Sequence, residues 1–453
     1  MSDPLAKDLQ RLLGEAAVFD AMAQRQDHGG DESGLAAGTP RLVIRPDHRE
    51  RAAAAIRFLY EQGVPMVPRG AGSGKAGGCI ASTGEVVLSS EGLNSPPQIA
   101  QDHLFVDVGA GCVAGELDQA AQPFGLFYPP DPNSLEYSTI GGNVATNAGG
   151  PRAVKYGLTG HYLLGLSCVL PTGELVELGG RPLKCVAGSN LHGLLLGSEG
   201  LHGFITDVRM RLIPRPPFVA TALLLFESTA AAAEGIQAIF GTGELPRTLE
   251  LLDECSCDCL RASDASPLPP TAGAALILEA DGDEDLAMAA LERFATVAGA
   301  FDTLVASSPA ERERIWGPRR QLSRALRAQA KYKLSEDIAV PRGRIADAIL
   351  TIRRLANQRG ITAATYGHAG DGNLHVNLLW DHEDQRETVD ALSLAVFELA
   401  LDMGGTITGE HGVGLAKRHV LPLELGTERM AMEWRIKKAL DPKNLFNPGK
   451  VLS

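Results

Sequence analysis

Residues 139–157 read TIGGNVATNAGGPRAVKYG, with Gly141-Gly142 and Gly149-Gly150 bracketing small residues and two asparagines. A packed core would fill such positions with larger apolar side chains. The stretch therefore predicts a wall that a large planar ligand approaches closely, with Asn143, Thr146 and Asn147 as hydrogen-bonding groups. Upstream, residues 68–78 read PRGAGSGKAGG, and Gly72, Gly74 and Gly77 satisfy G-x-G-x-x-G by spacing. A Rossmann turn must open a helix, yet Gly78 is followed by CIASTG and the strand-like Val86-Val87-Leu88. A Walker loop needs glycine at position 69 and Ser or Thr after Lys75, where Arg69 and Ala76 stand. What remains is a loop whose alternate glycines leave backbone N–H groups unshielded, as cradling a pyrophosphate requires. A third set, Gly197-Ser198-Glu199-Gly200-Leu201-His202-Gly203, precedes Phe204-Ile205-Thr206 and can close around the same ligand.

Composition bounds what such a ligand site can belong to. The chain has 453 residues, 44% hydrophobic and 21% charged, with 42 Lys+Arg against 55 Asp+Glu, a formal charge of −13. Chains beyond about 250–300 residues split into domains, so two or three are expected and wholesale disorder is excluded. The acidic balance disfavours a nucleic-acid surface, and an anionic substrate would need its own local Arg, Lys or metal. Asp3, Lys7, Asp8 and Arg11 interrupt the N-terminal apolar residues, unlike a signal peptide. The longest apolar run, Phe218 to Phe226 broken by Thr221, is far short of the ~18–20 residues that span a bilayer. A soluble, cytoplasmic protein is expected. Seven cysteines read as reduced thiols, and Cys255, Cys257 and Cys259 lack the C-x-x-C spacing of usual zinc or iron–sulfur sites.

The pattern from Thr39 to about Pro217 is short strands with glycine-rich turns and two helices, Asp47 to Gln62 and Cys112 to Gln122. Leu163 to Leu170 and Leu175 to Leu178, joined through Pro-Thr-Gly at 171–173, predict a β-hairpin. After the Pro214-Arg215-Pro216-Pro217 stretch, strand-like runs alternate with alanine-rich helices, predicting an α+β second domain. The expected domains are 1–217, 218–403, and a C-terminal segment 404–453 that returns to the first.

The three glycine segments, with PPDPNSLEYSTIGG leading into the second, resemble the flavin-binding domain of FAD-linked oxidases of the vanillyl-alcohol oxidase/p-cresol methylhydroxylase fold. Within that family the chain is similar to the D-lactate dehydrogenase, D-2-hydroxyglutarate dehydrogenase and glycolate oxidase flavin-subunit branch, from about Thr39 to Lys450. The resemblance implies an α+β fold: a two-subdomain FAD-binding domain plus a substrate (cap) domain with an antiparallel sheet. It implies noncovalent FAD, with Pro68 a cofactor contact and the pyrophosphate on Arg69, Gly70, Ala71, Gly72, Ser73 and Gly74. Further cofactor contacts would come from Asp131, Thr139, Ile140, Gly141, Gly142, Ala145, Asn147, Gly149, Tyr156, Glu199 and Ile205.

Residues 366–377 read YGHAGDGNLHVN. Alternation puts His375 and Asn377 on one strand face, and the Ala369–Gly372 turn can bring His368 back towards His375, which is metal-ligand geometry. Residues 404–414, GGTITGEHGVG, add Glu410 and His411 in a glycine-flanked loop. Two histidines, one glutamate and an unligated histidine have the composition of an open catalytic metal site. The resemblance assigns His368, His375 and Glu410 as metal ligands, zinc first with manganese or iron also suiting the donors. It makes His411 the catalytic base and Asn377 a substrate contact. In Trp316-Gly-Pro-Arg319 it places Arg319 on the substrate carboxylate, and Ser323 lies four residues on.

The implied activity is oxidation of a D-2-hydroxy acid to the 2-oxo acid, with hydride passing to flavin N5. Where hydroxyglutarate-acting relatives carry lysine this chain has Ser335, with Lys333 two residues earlier, which favours a small monocarboxylic acid such as lactate or glycolate. The alternatives are D-2-hydroxyglutarate dehydrogenase, or the flavin subunit of a multi-subunit complex with an iron–sulfur or electron-transfer flavoprotein partner as acceptor, held peripherally at the inner face of the membrane. A flavin-independent metal hydrolase would leave the glycine segments unexplained. A homodimer is compatible with these readings.

Overall fold

In a computed structural model describing residues 3–261 and 268–452, the chain divides into two units. The first takes the chain up to Gly149, Leu158–Arg215 and the stretch from Glu410. The second takes Gly150–Gly157 and Pro216–Gly409.

In the first unit, β1 (Val18–Phe19), β2 (Leu42–Ile44), β3 (Met66–Arg69) and β4 (Val86–Ser89) form a sheet of order β1-β2-β4-β3. β2 and β3 both run parallel to β4. Parallel strands need a crossover, here supplied by the helix Arg49–Glu61. That helix buries Ala52, Ala55, Ile56 and Leu59, one face at helical spacing, in a core shared with Leu42, Met66, Val86 and Phe446. A second sheet is antiparallel throughout, β5 (Gln98–Ala100), β6 (Phe105–Gly109), β8 (Leu163–Val169), β9 (Leu175–Gly179) and β10 (Phe204–Arg211) in the order β5-β6-β10-β8-β9. β7 (Leu126–Phe127) pairs with β11 (Ile213–Pro214). The hairpin expected at 163–178 is β8–β9, with Gly173 at φ 93° in its turn.

The C-terminal stretch closes this unit. Phe446 bridges to Met66 of β3, and the buried Lys437 Nζ donates to the Leu201 carbonyl (3.0 Å), the Phe446 carbonyl (2.5 Å) and Asp441 Oδ2 (2.7 Å). The helix Leu421–Leu440 is interrupted at Gly426 (φ 67°).

The second unit is one antiparallel sheet of seven strands: β12 (Phe218–Phe226), β13 (Thr248–Leu252), β14 (Ala274–Gly282), β15 (Asp302–Ala306), β16 (Tyr332–Ala339), β17 (Thr362–His368) and β18 (Asn373–Trp380). Their order is β15-β12-β14-β13-β17-β18-β16. Helices pack with it, among them Pro309–Arg327, which contributes Ile315, Trp316, Leu322 and Leu326 to the core. Residues 150–157 belong here because Lys155 and Tyr156 bond Asp281 at the end of β14. Residues 404–409 do so because Thr406 bridges to Ala339, and the Gly409 N–H and Thr408 hydroxyl donate to Asp337 Oδ2. The apolar run at 218–226 is thus a central strand. The cysteines at 255, 257 and 259 lie on the helix Glu254–Arg261 as free thiols, Cys257 and Cys259 being buried.

Candidate active site

A pocket in the first unit is lined by all three glycine segments and by Glu410 and His411. The segment Gly70–Gly78 leaves β3 and descends to β4 without opening a helix, as its residues require. Close packing forces glycine at two of its positions. A Cβ on Gly70 would fall 2.4 Å from Thr139 Oγ1, and one on Gly72, at φ 77°, would fall 2.0 Å from Arg69 Nη2. The Arg69 guanidinium is therefore packed behind the loop, where it donates to the Gly30 carbonyl and sits 3.3 Å from Cys79 Sγ. Positive charge behind a row of N–H groups suits a diphosphate, and the narrow glycine wall suits a flat ring system, so the residues present fit FAD. Thr139 caps the short helix Ile140–Thr146, its hydroxyl accepting from the Gly142 N–H at 3.3 Å. Ile205 reaches the lining beside a register shift between Ile205 and Asp207, the kind of irregularity that re-aims a side chain.

Glu199 is held on several sides within the pocket wall. It is non-glycine at φ 48°, and its carboxylate accepts from the Val413 N–H (2.7 Å) and the Gly414 N–H (2.9 Å). Its backbone carbonyl accepts from Asn447 Nδ2 at 2.7 Å, and the same amide reaches the Gly78 carbonyl at 2.9 Å. Burial pushes its carboxyl up to about 7, against the lowering effect of the two N–H groups and Lys417.

Of the cofactor residues expected from sequence, Pro68 to Gly74, Thr139, Gly141, Gly142, Ala145, Gly149, Glu199 and Ile205 line this pocket. Asp131, Ile140, Asn147 and Tyr156 are not on it. Ile140 is fully buried. Asn147 closes the helix at φ 51°, with its Oδ1 accepting from the Gly160 N–H. Tyr156 stands in the second unit, donating to Asp281 Oδ2 at 2.6 Å. Sequence reading missed Asp31 and Tyr137 in the lining. Tyr137 donates to Glu32, which also takes Lys75, and neither contact has a signal in local spacing.

In the second unit, β17 and β18 form a hairpin whose register pairs His368 with Asn373 and Tyr366 with His375. The two histidines are thus diagonal neighbours on one sheet face, their rings 5.2 Å apart and edge to face. Each ring has a carboxylate beside it. β13 sets Glu250 opposite His368, and His368 Nδ1 lies 2.5 Å from Glu250 Oε1. β16 sets Asp337 opposite His375, with Nδ1 at 3.7 Å from Asp337 Oδ1. A carboxylate can only accept, so the Nδ1–H of His368 donates to Glu250, and Nε2 is the ring nitrogen that a metal would take. Two imidazoles, each backed by a carboxylate, fit a divalent metal.

Glu250 is fully buried and its Oε2 also accepts from Arg319 Nε (2.9 Å) and Nη2 (2.6 Å). Burial alone would raise its carboxyl, but His368 and Arg319 hold it down at about 2. Arg319 lies over the Tyr366 ring at 4.6 Å, and Trp316 Nε1 donates to the buried Glu279 at 2.8 Å, so two carboxylates of the sheet fix the Trp316–Arg319 turn of its helix. Ser323 accepts from Lys333 Nζ at 2.7 Å. Asn377 is fully buried, accepting from the Ser335 hydroxyl and donating to the Ala364 and His375 carbonyls. Sequence reading missed Glu250 and Asp337; acids inside the strand-like TLELL and SEDIA are the signal, since buried carboxylates are rare unless paired.

Residues 40–179 match the family model of an FAD binding domain and residues 215–451 that of FAD linked oxidases, C-terminal domain. The chain is 35% identical to the glycolate oxidase subunit GlcD of Bacillus subtilis (strain 168), over 99% of this chain and 97% of that one. It is 33% identical to a D-lactate dehydrogenase of Anaerostipes hadrus, over 91% and 89%. Its fold matches p-cresol methylhydroxylase with substrate bound at a TM-score of 0.80 and 15% identity, covering 99% and 96% of the two chains. An alkyldihydroxyacetonephosphate synthase matches at 0.76 and 19% identity, over 99% and 86%.

Proposed function

The chain belongs to the FAD-linked oxidase family, and from that premise we propose that it oxidises a small D-2-hydroxy acid, lactate or glycolate, to the 2-oxo acid. The observation carrying this reading is the pocket itself, where the glycine segments share a lining with His411 and Glu410. Bound FAD would accept the α-hydrogen as hydride at N5. His411, on the wall of the same pocket, would take the hydroxyl proton as the hydride leaves. Arg319 has Nε and one Nη2 hydrogen engaged by Glu250, which leaves the Nη1/Nη2 end of its fork for a substrate carboxylate. Asn377 is kept as a substrate contact on the family resemblance alone, since it is fully buried with its amide engaged by Ser335, Ala364 and His375, and Ser323, one helical turn on from Arg319, is proposed to add a hydroxyl.

A divalent metal, zinc first, is part of the proposal, with His368 and His375 as ligands and Glu410, which follows Gly409, as the third. When bound it would lower the hydroxyl pKa, as metals do for water, from 15.7 to roughly 7 in favourable cases. The cofactor residues off the pocket lining, Asp131, Ile140, Asn147 and Tyr156, keep only the support of the family resemblance.

The deciding experiment is anaerobic titration with D- and L-2-hydroxy acids while following flavin absorbance. Bleaching by D-lactate or glycolate, and its loss in His411→Ala with FAD retained, is expected; undiminished bleaching in that variant would refute the base. Relatives named as a glycolate oxidase subunit favour a second reading, a flavin subunit feeding an iron–sulfur or flavoprotein partner. Turnover by the isolated chain only with an artificial acceptor would support it.

A further inference from the structure

One carboxylate in the second unit touches two groups of the proposed machinery. Glu250 sits in the middle of β13, in the sequence TLELL, where every residue is buried. Strand alternation turns Glu250 towards the face that carries His368, while Leu249 and Leu251 face the other way. Nothing about packing a sheet calls for an ionised carboxylate there, and an unpaired one would cost several kcal/mol. It persists because Oε1 meets His368 Nδ1 and Oε2 meets the Nε and Nη2 side of Arg319.

We propose that Glu250 is a positioning residue that ties the metal site to the substrate arginine. Its Oε1 fixes the tautomer and ring plane of His368, directing Nε2 to the metal. Its Oε2 holds the Arg319 fork flat on Tyr366 so that only the terminal end is offered to a carboxylate. One rigid group thereby sets the position of the metal against that of the carboxylate clamp, which is the relation a 2-hydroxy acid must satisfy with its hydroxyl and carboxylate on adjacent carbons. Loss of such an outer carboxylate typically weakens a metal by about 10–100-fold. The inference rests on the metal reading given under Proposed function.

The test uses the FAD-loaded protein stripped of metal, with Zn2+ binding measured by competition against a chromophoric chelator, and then KM for D-lactate measured with saturating Zn2+ restored. Glu250→Gln keeps the shape but cannot accept from both partners as a carboxylate does. It is expected to lose about 10–100-fold in Zn2+ affinity and to raise KM for D-lactate about tenfold or more, with flavin absorbance intact. Should an unpaired Arg319 prevent folding, Glu250→Gln with Arg319→Met removes both buried charges, and its Zn2+ affinity is expected to fall by the same factor. His368→Ala separates the two readings. If it loses Zn2+ while the Glu250 variants bind within twofold of the parent, the metal reading stands and the Glu250 assignment is overturned. If it binds Zn2+ like the parent, the metal reading fails and the assignment falls with it.

Discussion

Glu199 shows how much one side chain can hold in this pocket. Its left-handed backbone costs about 1–2 kcal/mol, and its carboxylate reaches two N–H groups three and four residues beyond Glu410. Because burial lifts its carboxyl from 4.5 to about 7, the unfolded chain gives up this proton at lower pH than the folded one. Between those values the folded state binds more protons, so this group makes stability fall as pH rises from about 4.5 to 7 and then level off. Glu199→Gln cannot titrate; its thermal midpoint should decline less than the parent's between about pH 5 and 7.5. Equal slopes would mean that Glu199 does not titrate in the folded protein. GSEG marked this residue in the sequence as a ligand-side group, whereas its partners lie more than two hundred positions away and no local pattern reveals them.

At the scale of elements, the loop from Gly70 to Gly78 is read correctly from what it cannot be. No helix follows it, so its N–H groups would hold a pyrophosphate without a helix dipole, with the Arg69 guanidinium packed against Gly72 as the nearby cation. Gly72→Val places a branched side chain at φ 77° against the Arg69 guanidinium. Its flavin affinity should drop by tenfold or more. Gly84→Ala, with nothing within 4 Å of the added methyl, should purify with full flavin. Flavin-to-protein absorbance ratios check both. The β17–β18 hairpin was also legible, since alternation and a glycine turn placed His368 and His375 together. The pairing of β13 and β16 with that hairpin was not, because an acid inside an apolar strand signals a buried partner without saying which distant strand supplies it.

Across the whole molecule, the chain leaves the first unit at Arg215 and re-enters it at Glu410, so the first unit is completed only by the C-terminal stretch. Lys437 is the buried fastening of that stretch, bonded to Leu201, Asp441 and Phe446. Lys437→Met leaves Asp441 buried without its cation and should cost about 3–5 kcal/mol in urea unfolding, whereas the exposed Lys438→Met should stay within about 0.5 kcal/mol. No helix among the described residues is long and apolar enough to cross a membrane. By itself the sequence determined the order of the glycine segments, the resemblance they carry to a flavin-binding family, and the residue types able to bind a metal, because turns, alternation and small side chains are local properties. Only the tertiary structure decided which carboxylate serves which histidine, where Arg69 and Arg319 place their charge, and that Tyr156 bonds Asp281. Those choices are made where strands far apart in the chain pair and a buried charge must find a partner.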